Sequence, residues 1–178
     1  MIKIIQKAFD PWQELATFQR EMKREGEFGA CANFIGTMRD MNEGDAVNGM
    51  FLEHYPGMTE KHLQKIVQSA KKQWDLLETL VIHRVGALLP NDPIVLVAAW
   101  SVHRKDAFEA SRFIMEDLKS KAPFWKKENL SSTALQAEKN RWVRLFFYSV
   151  VTSNTFCNFF GGTINTFPSF NFYPFIRF

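Results

Sequence analysis

The sequence is short of the residue patterns that usually announce a chemistry. Its two cysteines, Cys31 and Cys157, have neither metal-ligand spacing nor the density of a disulfide framework, so a reducing cytoplasm is the expected compartment. No apolar run is long enough to span a bilayer, so no membrane role is expected. The opening MIKIIQKAFDPWQEL lacks the apolar core and small-residue cleavage site of a signal peptide. No GxGxxG follows a candidate strand, no GxxxxGK(S/T) occurs, and no serine lies in a nucleophile elbow. Dinucleotide, triphosphate and serine-hydrolase chemistry are therefore not indicated. The four histidines, His54, His62, His83 and His103, fall on different elements without ligand spacing, so no metal is expected. A net charge of +3 is too mild to argue for nucleic acid. Acid is missing from one end altogether: every aspartate and glutamate lies at or before Glu138.

What is present suits a globular chain with a sizeable core, 46% hydrophobic and 23% charged, most simply one domain. Residues 2–9 read as an opening strand. Asp10 followed by Pro11 starts a helix through Trp12, Leu15 and Phe18 toward Glu21, with Asp as N-cap and Pro at the first helical position. Gly26 and Gly29 break it. Residues 29–38 then form a largely buried strand, expected to pair across a polar loop with a second strand at 49–55. Thr59 is the expected N-cap of a helix whose apolar face carries Leu63, Ile66, Val67, Ala70 and Trp74. Residues 79–85 (TLVIHRV) alternate like a half-buried strand, and 94–102 (IVLVAAWSV) run apolar without a break, as a central strand does. Strands and helices mix without a βαβ repeat, which predicts an α+β fold with a mostly antiparallel sheet.

The chemistry that remains is cationic. From Arg104 an amphipathic helix carries Ala107, Ala110, Ile114 and Leu118 at helical spacing, and Pro123 predicts its end near Lys121. Lys119, Lys121, Lys126 and Lys127 surround that break, with Phe124 and Trp125 between them, while His103 and Arg104 stand at the helix start. A helix N-terminus beside two such side chains favours anions. Together with Arg39 at a strand end, these groups suit a phosphate-bearing small molecule, with one lysine desolvated enough to exchange protons. A solvated basic helix end, with Arg39 an ordinary surface residue, is the plain alternative. His54 and His83 are expected to be hydrogen-bonded structural residues on strands, and Cys31 a small core residue.

Three segments resemble one family: HYPGMTE at 54–60, IHRVG at 82–86, and SVHRKDAFEASRFIMEDLKSKAPFWKKE at 101–128. They are similar to the large, catalytic subunit of molybdopterin synthase, with the likeness covering about residues 29–128. The resemblance implies an α+β, α/β-hammerhead-like fold. It also implies an enzyme that converts cyclic pyranopterin monophosphate into molybdopterin by installing the two dithiolene sulfurs. Sulfur would arrive as a thiocarboxylate on the C-terminal Gly-Gly of a small, ubiquitin-like sulfur-carrier subunit, which explains a chain with no reactive cysteine of its own. Two large subunits would form the central dimer of a heterotetramer, and no metal or cofactor is implied. Lys119 and Lys126 match the family's catalytic lysines. Thr37, Met38, Arg39, His103, Arg104, Lys127 and Glu128, together with those lysines, match substrate-contacting segments and are expected to converge on a single cavity. The alternative is a non-catalytic scaffold that docks the ubiquitin-like partner.

Residues 1–144 are taken as the domain. From 145 to 178 the only charge is Arg177, and ten of the eighteen phenylalanines lie there. That tail departs from the family pattern, as does the stretch before Arg141-Trp142-Val143. A lineage-specific extension, a frameshifted reading frame and membrane contact are the readings open; a non-functional or poorly ordered tail is the one favoured.

Overall fold

The computed structural model describes residues 1–42, 45–130 and 141–144, all within one compact unit. The expectations for the tail and for the stretch before Arg141 fall outside the described residues. In chain order the elements are β1 (Ile2–Ile5), α1 (Pro11–Glu21), β2 (Ala30–Thr37), β3 (Met41–Asn42), β4 (Asp45–His54) and α2 (Met58–Gln73). They continue with β5 (Leu76–Arg84), β6 (Gly86–Leu88), β7 (Pro93–Ser101), α3 (Arg104–Lys121), β8 (Phe124–Leu130) and β9 (Arg141–Arg144).

Two sheets carry the described residues. One has the order β1-β5-β7-β2; the other runs β3-β4-β8-β9, with β6 also on β4. Only the β1–β5 pairing is parallel among the described strands, so the α+β, mostly antiparallel expectation holds.

The unbroken apolar run of β7 has a direct cause, because the first sheet is covered on both faces. Val81, Val95 and Val97 point to the side of α2 and α3, against Leu63, Ile66, Ala70, Ile114 and Leu118. Leu80, Ile82, Leu96, Ala98 and Trp100 point to the α1 side, where the Phe18 ring meets that of Trp100 at 5.3 Å. Strand alternation sends successive residues to opposite faces, and here both faces are interior. Burying the Trp100 ring contributes on the order of 3 kcal/mol relative to leaving it in water, offset in part by its buried indole N–H, which has no hydrogen-bond partner among the described residues.

Local signals explain the helix starts. Asp10 caps α1, accepting from the Trp12 and Gln13 amides at 2.9 and 3.2 Å. Thr59 does not cap α2. The N-cap is Gly57 at φ 78°, whose amide donates to the Glu60 carboxylate at 2.6 Å. Thr59, fully buried, instead donates its hydroxyl to the Tyr55 carbonyl at 3.0 Å and accepts the Tyr55 amide at 3.1 Å.

The strand pairing expected between 29–38 and 49–55 does not form. β2 pairs with β7, from Ala30 opposite Ser101 to Thr37 opposite Pro93, and β4 pairs with β8 in the other sheet. The physical reason is burial. The apolar edge of β7 is a better partner for β2 than a half-exposed strand, and the polar loop closes its own short hairpin with Met41 opposite Ala46. β1 is also shorter than expected, ending at Ile5.

Candidate active site

β7 and α3 run in opposite directions along the first sheet. α3 therefore returns its C-terminal end to the level where β7 begins and β2 ends, and Arg39 lies just beyond β2. Ala122 leaves the helix in extended geometry (φ −69°, ψ 137°), as a residue before proline must, and β8 begins at Phe124. Along β8, Phe124 stands opposite His54 and Lys126 opposite Leu52. Phe124 and Leu52 are both buried, so alternation puts Lys126 on the inward face of this strand, two residues past its start. Lys119 lies in the last turn of α3.

Lys119, Arg39 and Lys126 thus come within electrostatic reach of one another. Burial, then the Arg39 charge, then that of Lys126 hold the Lys119 ammonium below the usual lysine range. Lys121, two residues further on, meets different surroundings: its ammonium pairs with Asp117 at 2.7 Å on the exposed side of the helix.

Not every expected residue arrives here. His103 and Arg104 sit at the N-terminal end of α3, exposed, and His103 makes no side-chain cap. Fifteen residues at 1.5 Å per residue separate Arg104 from Lys119 by about 22 Å along the axis. A rigid helix holds its two ends apart, so within one chain these two groups of cations do not share a cavity. Met38, expected at the substrate, has its side chain in the core with Val47, Leu52 and Leu88. Its neighbours Thr37 and Arg39 are exposed. Lys127 lies opposite Phe51, on the outward side of β8 from Lys126, and the Glu128 backbone pairs with that of Met50.

His83 shows how the β8 start is supported. Its ring stacks on Phe124 at 3.9 Å and 13°, and Nδ1 lies 2.9 Å from the Arg84 carbonyl, which fixes the Nδ1–H tautomer. Burial lowers its pKa to about 4, so it is neutral near pH 7. His83 thus has the hydrogen-bonded structural setting expected of it, whereas His54 lies 3.7 Å from Glu60, beyond hydrogen-bond distance. Cys31 is a half-buried free thiol whose pKa burial pushes up to about 11, the opposite of an activated nucleophile. Among the described residues no cluster of histidine, cysteine and carboxylates could hold a metal ion, and no helix is long and apolar enough to cross a membrane.

Comparison with known proteins bears on the family and the fold. The model of the MoaE protein family matches residues 6–121. The molybdopterin synthase catalytic subunit of Ralstonia nicotianae is 51% identical over 142 residues, covering 80% of this chain and 76% of that one. Among solved structures, the molybdopterin biosynthesis MoaE protein of Burkholderia ambifaria superposes with a TM-score of 0.68 at 43% identity, over 84% of this chain and 92% of that one. A complex of subunits 1 and 2 of the molybdopterin-converting factor from Helicobacter pylori matches with a TM-score of 0.63 at 25% identity, over 80% and 88%. Family model, sequence relatives and solved folds converge, and the chain belongs to the MoaE family.

Proposed function

We propose that this chain, as the catalytic subunit of a molybdopterin synthase, transfers sulfur to cyclic pyranopterin monophosphate at the junction of α3 and β8. The sulfur comes from the thiocarboxylated Gly-Gly terminus of a small subunit. The observation that carries this reading is the half-buried Lys119, its ammonium held low by burial and by Arg39 and Lys126, in a fold of the MoaE family. Arg39 and Lys126 supply positive charge for the substrate phosphate, Arg39 with the planar fork that matches it. Lys119 moves the proton that sulfur attack requires, or meets the charge that develops as the cyclic phosphate opens. The nucleophile belongs to the partner, in keeping with a Cys31 thiol that is protonated and inert. A glycine tail suits a narrow approach because it carries no side chains. The solved two-subunit complex that this chain resembles supports such a partner. A cytoplasmic location goes with the same reading and with the free thiol.

His103, Arg104 and Lys127 belong to the reading in a different way. They match substrate-contacting segments, yet α3 holds the first two about 22 Å from Lys119 along its axis. Groups so separated serve one substrate only when a second copy of the chain supplies part of the site, which fits self-association into a central dimer. In the same reading Lys127 and Glu128, next along β8, belong to the edge of the substrate region.

The direct test combines the purified chain, the thiocarboxylated small subunit and the cyclic pterin, with dithiolene product as readout. Lys119→Ala is expected to lose roughly 100- to 10,000-fold in turnover while still binding the small subunit. Near-normal turnover by that variant would remove Lys119 from the chemistry. A wild-type chain that docks the small subunit without forming product would be a scaffold instead.

A further inference from the structure

The MoaE-family reading leaves one group unused: Arg84, the last residue of β5, only 8% exposed and placed at the end of an apolar strand. We propose that Arg84 is a positioning residue, holding Arg39 beside Lys119 through Asp92 and the main chain of Met38. This rests on the reading of Arg39 and Lys119 as partners in the site.

The links are short and continuous. Arg84 Nη2 donates to the Ala87 carbonyl at 3.2 Å, and Nη1 lies 3.0 Å from Asp92 Oδ2, an ion pair not aligned as a hydrogen bond. The same Asp92 oxygen accepts the Leu89 amide at 2.9 Å, closing the turn at 89–92 around the guanidinium. That turn grips the next segment from both directions. The Met38 amide donates to the Asp92 carbonyl, and the Asn91 amide donates to the Met38 carbonyl, each at 2.9 Å. Asn91 adopts φ 72°, a left-handed geometry that asparagine tolerates better than most residues. With the Met38 side chain in the core, Arg39 has no freedom at its N-terminal neighbour. On the other side, Asp40 accepts the Val47 amide at 2.7 Å. An exposed arginine is thus held between two fixed residues.

The energetics argue that the guanidinium serves more than stability. A buried ion pair gives little net stabilisation, and an apolar side chain of similar volume often does as well or better. Arg84 Nε has no hydrogen-bond partner among the described residues, a further cost of burial. What the charge does achieve is a fixed carboxylate and, through it, a fixed turn. The turn in turn fixes the strand end that presents Arg39.

The test measures pH–rate profiles for the cyclic pterin with Arg39→Ala, Arg84→Met, Arg84→Lys and the double variant R84M/R39A, with Tm followed throughout. Removing the Arg39 charge releases Lys119, so Arg39→Ala is expected to move the Lys119 limb to higher pH and raise KM about tenfold. Arg84→Met should move the limb in the same direction and raise KM with kcat at saturation little changed. Arg84→Lys, which keeps a charge for Asp92, should recover most of the loss. The double variant should match Arg39→Ala alone, because a misplaced arginine and an absent one cost the same contact. Asp92→Asn serves should Arg84→Met fail to fold, with the same non-additivity expected. A lowered Tm with an unmoved limb, or effects of the two sites that multiply, overturns the positioning role while leaving the site intact. An unmoved limb in Arg39→Ala itself overturns both.

Discussion

Lys119 and Lys121 differ by two positions in one helical turn and by everything that matters to a proton. Lys121 reaches back to Asp117 on the exposed side, whereas Lys119 is half-buried with two further cations near it. Lys121→Ala is therefore expected to keep near-normal turnover where Lys119→Ala loses it, in the same dithiolene assay. His83 offers a test of stability in place of activity. It is neutral in the folded chain down to about pH 4, against 6.5 for the free side chain. Between those values the unfolded chain binds a proton that the folded chain refuses, so stability falls as pH drops through 6.5 toward 4. The loss amounts to roughly 3 kcal/mol when complete. His83→Phe, which keeps a ring against Phe124, is expected to flatten the decline of Tm between pH 7 and pH 5, as differential scanning calorimetry would show.

At the scale of elements, the joint between α3 and β8 is held from outside by α2. Thr59 sits at the start of α2, and its hydroxyl reaches the Pro123 carbonyl at 3.5 Å as well as both backbone groups of Tyr55. Thr59→Val keeps the shape and removes all of these, leaving the Tyr55 amide without its acceptor while the Tyr55 carbonyl keeps the Met58 and Thr59 amides. The expected cost is about 1–3 kcal/mol in urea unfolding, with Tyr55 and Pro123 amide neighbours the first to lose exchange protection. Much at this level was legible beforehand. Asp10-Pro11 marked the start of α1, Pro123 the end of α3, and the apolar run at 94–102 a strand covered on both sides. The β2 partner was not legible, because periodicity reports which faces are buried and not which strand lies alongside. Thr59 misled for a related reason: a threonine before a helix reads as a cap whether it caps or packs. The Arg84–Asp92 link was not legible, because nothing in Pro90-Asn91-Asp92-Pro93 marks a carboxylate that pairs with a side chain eight positions earlier. Its one outward sign was an arginine ending an apolar strand.

For the molecule as a whole, the separation of His103 and Arg104 from Lys119 was already implied by the length of the helix between them. Matching motifs suggested a common pocket, and 18 residues of α-helix forbid it within one chain. Mixing a Lys119→Ala chain with an H103A/R104A chain, each inactive alone, should restore about a quarter of wild-type turnover through mixed dimers, each with one complete site. No recovery on mixing would confine each site to one chain. Residues 1–144 are read as the catalytic unit. A chain ending at Arg144 is accordingly expected to turn over the cyclic pterin at the full-length rate.

A straight rod joining two working ends behaves as a ruler. Four residues added to or deleted from the middle of α3 would keep its apolar stripe nearly in phase and slide one end by about 6 Å. The fold would tolerate such a change far better than the assembly would. If two copies complete each site as proposed, the span of α3 is a dimension of the complete enzyme, and natural variation in its length should be matched by compensating change wherever two copies touch.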